Sequence, residues 1–96
     1  MRAKFLPEAA EEFREAASYY EQKAPGVGFV FVAEVHRAVE IARSHPLSGR
    51  AVGRHLRSTP LHNFPFSIIY TLNQESVLIV AVAHQKRRPG YWKHRT

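Results

Sequence analysis

Val77-Leu78-Ile79-Val80-Ala81-Val82-Ala83 is the stretch that decides the fold of this chain. An unbroken apolar run of this length, rich in valine and bounded by polar residues, is typical of a buried β-strand. Side chains alternate along a strand, which predicts two faces. They are Leu78, Val80, Val82 and His84 on one side, and Val77, Ile79, Ala81 and Ala83 on the other. Both faces are apolar, so we expect a central strand that is covered on both sides.

Two amphipathic helices are predicted upstream of this strand. Pro7 suits the first turn of a helix, and apolar residues then recur at spacings of three and four as far as Lys23. A second stripe at the same spacing begins near Gly28 and ends at Ser44, because the residue before Pro46 avoids helical angles. The connection between them is short, which predicts an antiparallel helix hairpin.

Extended segments account for most of the remaining chain. We predict four strands, at Arg2–Leu6, His55–Thr59, Phe66–Leu72 and Val77–Ala83. Residues 46–53 are interpreted as a polar loop, and Pro89 as the start of a final helical turn. The predicted fold class is α+β: an N-terminal strand, an antiparallel two-helix hairpin packed on a mainly antiparallel sheet, and a short C-terminal helical turn. Residues 1–96 are expected to form one domain.

The helix hairpin can cover only one face of such a sheet. We therefore expect the C-terminal tail or another chain to cover part of the second face. Small domains of this length bury only a moderate fraction of their surface, so a partner would also stabilise the fold.

Composition excludes several classes of protein. Cysteine is absent, which excludes a disulfide framework and a thiolate metal site. Aspartate is absent as well, and the histidines show no metal-ligand spacing, so we expect no metal and no other cofactor. The N-terminus lacks the apolar core of a signal peptide, and the longest apolar run is far too short to cross a bilayer. The expected location is the cytoplasm, with no membrane partner.

Charge is distributed unevenly along the chain. Residues 1–45 hold six Lys or Arg and seven Glu, whereas residues 46–96 hold eight Lys or Arg and only Glu75, so the two parts carry −1 and +7 of the total of +6. A basic half of this kind indicates a nucleic acid or an acidic protein as partner. The simpler alternative is that the charge only keeps the protein soluble.

The candidate functional residues follow the apolar strand directly, in His84-Gln85-Lys86-Arg87-Arg88-Pro89-Gly90-Tyr91-Trp92. Cations bind phosphate, aromatic rings stack on bases, and histidine transfers protons near neutral pH. Further arginines in the preceding loop and strand could complete one phosphate-binding surface. The residues of this predicted surface are Arg50, Arg54, Arg57, Lys86, Arg87, Arg88, Tyr91 and Trp92. The alternative reading is structural, with Trp92 sealing the core, His84 ending the strand and the cations solvated.

Three motifs make the chain resemble a known superfamily. They are Phe64-Pro65-Phe66, Ile68-Ile69-Tyr70 and His84-x-x-Arg87-x-Pro89-x-Tyr91-Trp92. In this order, after a strand and a helix hairpin, they resemble the RelE/ParE superfamily, the toxins of type II toxin–antitoxin systems. The resemblance implies a small α+β toxin neutralised by a cognate antitoxin, with which it could form a hetero-oligomer. A basic surface and an incompletely covered sheet fit such a partner.

Activity within the superfamily takes two forms, so the resemblance alone leaves open whether this chain is an enzyme. ParE-like members poison DNA gyrase, which is the target we predict here. RelE-like members cut messenger RNA on the ribosome, and their set would correspond here to Arg57, His84, Lys86, Arg87 and Tyr91. That set is incomplete, because Ser67 stands where nuclease members can carry an arginine, and no carboxylate base is evident. A third alternative is a non-toxic basic module that only binds an antitoxin.

Overall fold

A computed structural model describes residues 1–96, with one β-sheet and two long helices. The chain runs in the order β1 (Arg2–Phe5), α1 (Pro7–Lys23), α2 (Val27–Ser44), β2 (Arg50–Gly53), β3 (Leu56–Pro60), β4 (Phe66–Asn73), β5 (Ser76–His84) and a short 3-10 helix at Lys93–Arg95. The predicted α+β architecture is confirmed, including the helix hairpin. A final helical turn is present, but it begins at Lys93 and not at Pro89 as predicted. No helix combines the length and apolar character needed to span a membrane.

The sheet has the strand order β1-β5-β4-β3-β2. Strands β3, β4 and β5 form the predicted antiparallel meander, and β1 joins the sheet by pairing in parallel with β5. Because β5 has neighbours on both edges, it is a central strand, as its apolar sequence predicts.

The interpretation of residues 46–53 as a loop is wrong for β2. Arg50–Gly53 pairs antiparallel with β3, and a turn containing His55 at a φ of 64° joins the two strands. Arginine and glycine give this short segment no apolar alternation, so its sequence carries little strand signal. Hydrogen bonds to β3 stabilise it at the sheet edge, where one face can stay polar.

One face of the sheet packs against the helix hairpin. Helix α2 buries Phe31, Val35, Ala38 and Ala42, whose spacing of three and four forms one apolar stripe. Phe31 lies among aromatic rings, with centroids 5.1–5.3 Å from those of three neighbours, Tyr20, Phe64 and Phe66. This aromatic cluster fixes the hairpin against β4.

Strict alternation along β5 is wrong, because the strand contains a bulge. Ile79 and Val82 both lie in the core beneath the helices, whereas Val80 and Ala81 both face the opposite side. The register explains this, since Ile69 pairs with Ala81 while its neighbour in β4 pairs with Ile79, leaving Val80 as an extra residue. A bulge of this kind changes which face the later side chains occupy.

The second face of the sheet is covered by the C-terminal tail, one of the two covers that the sequence predicts. Trp92 is only 6% exposed and packs with Leu56, Ile69, Val80 and Ala83. Gly90 makes this return possible, because the chain turns there with a φ of 83°, which glycine adopts without strain. The structural role of Trp92 follows from this burial.

Candidate functional site

After β5 the chain turns and the C-terminal tail packs on the second face of the sheet. His84 pairs with Phe66, and the backbone then turns, with the Arg87 amide donating to the His84 carbonyl at 3.1 Å. The amide of Lys86 donates to Nδ1 of His84 at 3.0 Å. This turn fixes the imidazole next to the start of the tail, with its ring edge-on to Phe66 at a centroid distance of 5.0 Å.

Glu12 of α1 holds the tail in place. Its carboxylate accepts hydrogen bonds from the Tyr91 hydroxyl at 2.8 Å, from the Val82 amide at 3.0 Å and from two guanidinium nitrogens of Arg95 at 3.0 Å each. The Arg95 and Glu12 side chains are 9% and 13% exposed, so this is an ion pair largely removed from water. We refer to Glu12, Tyr91 and Arg95 as the tail latch.

The tail latch also forms hydrogen bonds with the part of β5 that has no neighbouring strand on one edge. Strand β1 follows β5 only as far as Ile79, because Pro7 then opens α1. Beyond that point the Val82 amide donates to Glu12 and the Val80 carbonyl accepts from Arg95 at 3.0 Å. Two side chains thus satisfy backbone groups that a neighbouring strand would otherwise pair.

Tyr91 is held as a hydrogen-bond donor. Burial, followed by its hydrogen bond to Glu12, raises the pKa of the Tyr91 phenol far above its ordinary value. The guanidinium of Arg87 stacks on the phenol ring at 3.7 Å from the centroid, and Nη1 of Arg87 lies 3.7 Å from a Glu12 oxygen. The phenol therefore stays protonated at neutral pH and donates its proton in a hydrogen bond to Glu12.

A cleft of about 620 Å³ opens beside the tail latch. It lies between α1 and the end of β5, and its lining combines aromatic rings with a few charged groups. Tyr19, Tyr20 and Phe66 supply the rings, while His84 and Arg87 stand at the tail side. Convergent polar groups over an apolar floor are typical of a binding cleft. Three residues of the predicted site, His84, Arg87 and Tyr91, line this one cleft.

The other predicted residues lie elsewhere: Trp92 is buried in the core, contrary to the prediction that it belongs to a binding surface, and the remaining cations are dispersed. Lys86 and Arg88 are exposed beside the cleft and form no ion pair, whereas Arg50 and Arg54 are exposed at the far end of the sheet. Arg57 donates from Nη1 to the carbonyls of Leu47 at 3.2 Å and Gly49 at 2.8 Å, which fixes the loop before β2.

Arg57 is also distant from the tail along the strands. It pairs with Tyr70, four residues along β4 from Phe66, the partner of His84. At about 3.3 Å per residue this is a separation of about 13 Å along the strand. The structure therefore does not gather the predicted nuclease residues, or the predicted ring of arginines, into one place.

Glu12 and Arg95 are the residues that sequence reasoning missed. Apart from Glu75, all glutamates lie on the predicted helices, and the sequence pattern does not place any of them beside the sheet. A signal was present, because Glu12 lies three residues after Ala9 and four before Ala16, both buried. An acid on the buried face of a helix needs partners, and the basic tail supplies them.

The protein is a small α+β domain with a basic C-terminal segment on the second face of its sheet. Comparisons with known proteins identify the family to which it belongs. The sequence matches the family described as "ParE toxin of type II toxin-antitoxin system, parDE" over residues 3–89. Since this match spans nearly the whole sequence, the chain belongs to the ParE toxin family and is a toxin of a type II toxin–antitoxin system.

A solved structure supports the fold. The chain resembles a structure described as "Chromosomal ParDE TA system from P. aeruginosa", with a TM-score of 0.76 and 17% sequence identity over 88% of this chain and 95% of that chain. At this identity the likeness concerns the fold alone. No protein of curated function matches the sequence. The family match ends at residue 89, so two members of the tail latch, Tyr91 and Arg95, lie beyond it.

Proposed function

We propose that this toxin inhibits growth by poisoning DNA gyrase or a related component of replication, and that a cognate antitoxin neutralises it. In this proposal residues 1–96 act as one domain in the cytoplasm, where gyrase works. The observation that carries the proposal is the state of Tyr91, whose hydroxyl donates to a buried carboxylate instead of being free to accept a proton.

The side chains that RNA cleavage needs are not all available at the tail, and this supports a non-enzymatic toxin. Metal-independent cleavage needs a base for the 2′-hydroxyl, an acid for the leaving oxygen and cations for the added negative charge. Glu12 accepts four hydrogen bonds and Tyr91 stays protonated, so neither supplies the base. Arg57 is bound to loop carbonyls far from the tail. A gyrase poison needs a binding surface and no such set.

Exposed cations around the tail supply that surface. Lys86 and Arg88 form no ion pair, and Arg87 keeps its side chain 56% exposed although it stacks on Tyr91. Cations on a rigid support steer association and bind acidic groups of a partner. The net charge of +7 on residues 46–96 supports an acidic antitoxin for the same reason. Toxin and antitoxin would then form a hetero-oligomer.

A ribosome-dependent endoribonuclease is the second candidate, and one observation favours it. His84 and Arg87 line the same cleft, so an imidazole and a guanidinium converge on a space large enough for a nucleotide. His84→Gln separates the two roles. If His84 is structural, this variant loses thermal stability and keeps its toxicity; the reverse result argues for proton transfer.

A supercoiling assay tests the proposed target. Purified gyrase and relaxed plasmid are titrated with wild-type toxin, Arg87→Gln and the control Arg2→Gln, whose exposed arginine pairs with Ser76 at the opposite end of β5 from His84. We expect wild type and the control to block supercoiling, and Arg87→Gln to lose at least about tenfold in potency, since a charged contact is worth about 1.5–3 kcal/mol. A folded wild-type toxin that leaves supercoiling intact at every concentration overturns the proposal.

A growth assay separates a toxin from an inert partner. Controlled expression of wild type and Arg87→Gln is compared in growing cells, with both proteins checked for folding by circular dichroism. The proposal predicts growth arrest with wild type and continued growth with the variant. Continued growth with both, at equal protein levels, would favour the non-toxic basic module.

A further inference from the structure

The tail has a second anchor at its start, separate from the tail latch. The backbone amide of Gln85 donates to the Pro65 carbonyl at 2.8 Å. The side-chain amide of Gln85 donates to the Phe66 carbonyl at 3.1 Å and to Oγ of Ser67 at 3.3 Å. Three hydrogen bonds therefore tie Gln85 to the start of β4 and the residue before it, and the cations at positions 86–88 follow Gln85 directly.

The loop of residues 61–65, which joins β3 to β4, leads to this anchor. The ring of Phe64 packs edge-on against two other rings of the aromatic cluster, with centroid distances of 4.8 and 5.1 Å. Pro65 lines the cleft beside the tail latch as well as accepting from Gln85. Any movement of the loop would therefore change the position of the first residue of the tail.

Glu34 of α2 holds the other end of this loop. Its Oε1 accepts from the His62 backbone amide at 2.8 Å. Nε of Arg37 donates to the same oxygen at 2.8 Å, and Nη2 of Arg37 lies 2.6 Å from it. The hydrogen bond from Arg37, and then that from the His62 amide, hold the pKa of Glu34 below its ordinary value. An ionised acceptor binds an amide more strongly than a neutral one does.

The contact between Glu34 and the loop is not required to satisfy a buried donor. The His62 amide lies at the surface, where water is an alternative acceptor. The Glu34 side chain is only 15% exposed and is already paired with Arg37. The consequence of the hydrogen bond is therefore to fix where the loop lies on α2.

We propose that Glu34 is a positioning residue for toxicity, acting through the loop of residues 61–65 and Gln85 on the cations at positions 86–88. Glu34 fixes His62 at one end of the loop, and Pro65 at the other end fixes Gln85. The tail latch fixes the far end of the same segment, so the cations are held between two anchors. The inference rests on the proposed function, in that these cations are taken to contact the target.

Three variants separate positioning from stability. Glu34→Ala removes the acceptor of the loop amide, whereas Glu34→Gln keeps a side-chain oxygen that can accept from it. Arg37→Gln breaks the same ion pair but leaves the acceptor in place. All three should lower the thermal unfolding midpoint. In the supercoiling assay we expect only Glu34→Ala to lose about fivefold in potency, with the other two variants within about twofold of wild type.

Nuclear magnetic resonance of the isotope-labelled full chain reports the position of the tail without any target. Glu34→Ala should shift the amide signals of Gln85, Lys86 and Arg88, although Glu34 forms no hydrogen bond or ion pair with these residues. Arg37→Gln should leave these three signals in place. The comparison is made below the unfolding temperature of both variants.

A double-mutant cycle tests whether Glu34 and Gln85 act on one path. Gln85→Ala alone should lose about fivefold in potency, because it removes the side-chain hydrogen bonds that hold the start of the tail. Residues that act through the same contacts are not additive, so the double variant with Glu34→Ala should lose little more than either single variant.

Three outcomes overturn the proposal. The first is an equal loss of potency in Glu34→Ala and Arg37→Gln, which would mean that Glu34 acts through stability alone. The second is a Glu34→Ala protein with unshifted signals at positions 85–88. The third is a loss of about 25-fold in the double variant, as independent effects would give.

Failure of the proposed target is distinguishable from failure of this proposal. If wild-type toxin leaves supercoiling intact, the gyrase proposal fails, and growth arrest on controlled expression replaces supercoiling as the measure of potency for the same variants. The signals at positions 85–88 test the positioning in either case, because their measurement involves neither gyrase nor growth.

Discussion

Basic side chains have different roles in the tail latch and at the β2–β3 turn, where Arg54 and Lys93 lie side by side along one depression. In the tail latch, both terminal nitrogens of the Arg95 guanidinium donate to the buried carboxylate of Glu12. The positive charge of Arg95 therefore stabilises the packing of the tail on the rest of the chain. At the β2–β3 turn, Arg54 and Lys93 line a depression that contains no glutamate side chain, and both side chains are exposed. The difference shows that one acidic side chain from a distant helix decides which cations of a basic chain are structural.

The largest effect is expected where the tail covers the sheet. Trp92→Ala removes the buried indole that seals the second face, and should lower the free energy of unfolding by about 4 kcal/mol. Phe29→Ala, at a highly exposed aromatic residue, should change it by less than about 0.5 kcal/mol. Urea denaturation followed by circular dichroism measures both. Similar values for the two variants would show that the tail is not part of the core.

The next effect concerns the tail latch itself. Glu12→Gln leaves the guanidinium of Arg95 buried without its counter-charge and should cost about 3 kcal/mol in the same denaturation assay. Glu11→Gln, one residue earlier in an exposed ion pair with Arg14, should cost less than about 0.5 kcal/mol. A Glu12→Gln protein as stable as Glu11→Gln would contradict the role given to the carboxylate.

A smaller effect should appear at alkaline pH. Burial, and then Glu12, hold the pKa of Tyr91 in the folded protein well above its ordinary value of 10. Above pH 10 the unfolded chain loses this proton while the folded chain keeps it, so stability is full below pH 10 and falls as the pH rises toward the folded pKa. The slope is at most about 1.4 kcal/mol per pH unit. Tyr91→Phe should remove this part of the slope, and identical profiles would argue against a buried phenol.

The smallest effect is expected at the β2–β3 turn. Arg54→Gln should change the free energy of unfolding by less than about 0.5 kcal/mol, because Arg54 has no partner within the chain. Arg95→Gln should lower the free energy of unfolding several times more in the same experiment, since it breaks the ion pair with Glu12. Equal losses of unfolding free energy for the two arginine variants would remove the distinction between the tail latch and the β2–β3 turn.

Much of the fold could be predicted from periodicity, because long elements carry many consistent signals. Helix α1 begins and ends at the predicted residues, Pro7 and Lys23. Strand β4 is one residue longer than predicted at its C-terminal end, and β5 is one residue longer at each end. Strand β2 could not be predicted, since hydrogen bonds to β3 stabilise it and its own side chains do not. The bulge at Val80 was equally hidden, because register depends on the partner strand.

The candidate site could be predicted only as a segment. The run from His84 to Trp92 was found because cations and aromatics follow a buried strand. Its division into a buried indole, a latched phenol and free cations depends on Glu12, which lies some 80 residues away in sequence from Tyr91 and Arg95. Contacts over such a distance are created by the fold, and the position of Glu12 on the buried face of α1 does not by itself identify Tyr91 and Arg95 as its partners.

Primer extension on messenger RNA in a reconstituted translation system tests the central claim most directly. The claim is that this toxin does not cleave RNA, because Tyr91 and Glu12 are held in the tail latch and His84 is structural. Wild-type toxin should leave the message intact and translation normal at concentrations that block gyrase. Ribosome-dependent cuts that disappear in Tyr91→Phe or His84→Gln would contradict the account and make the protein a nuclease.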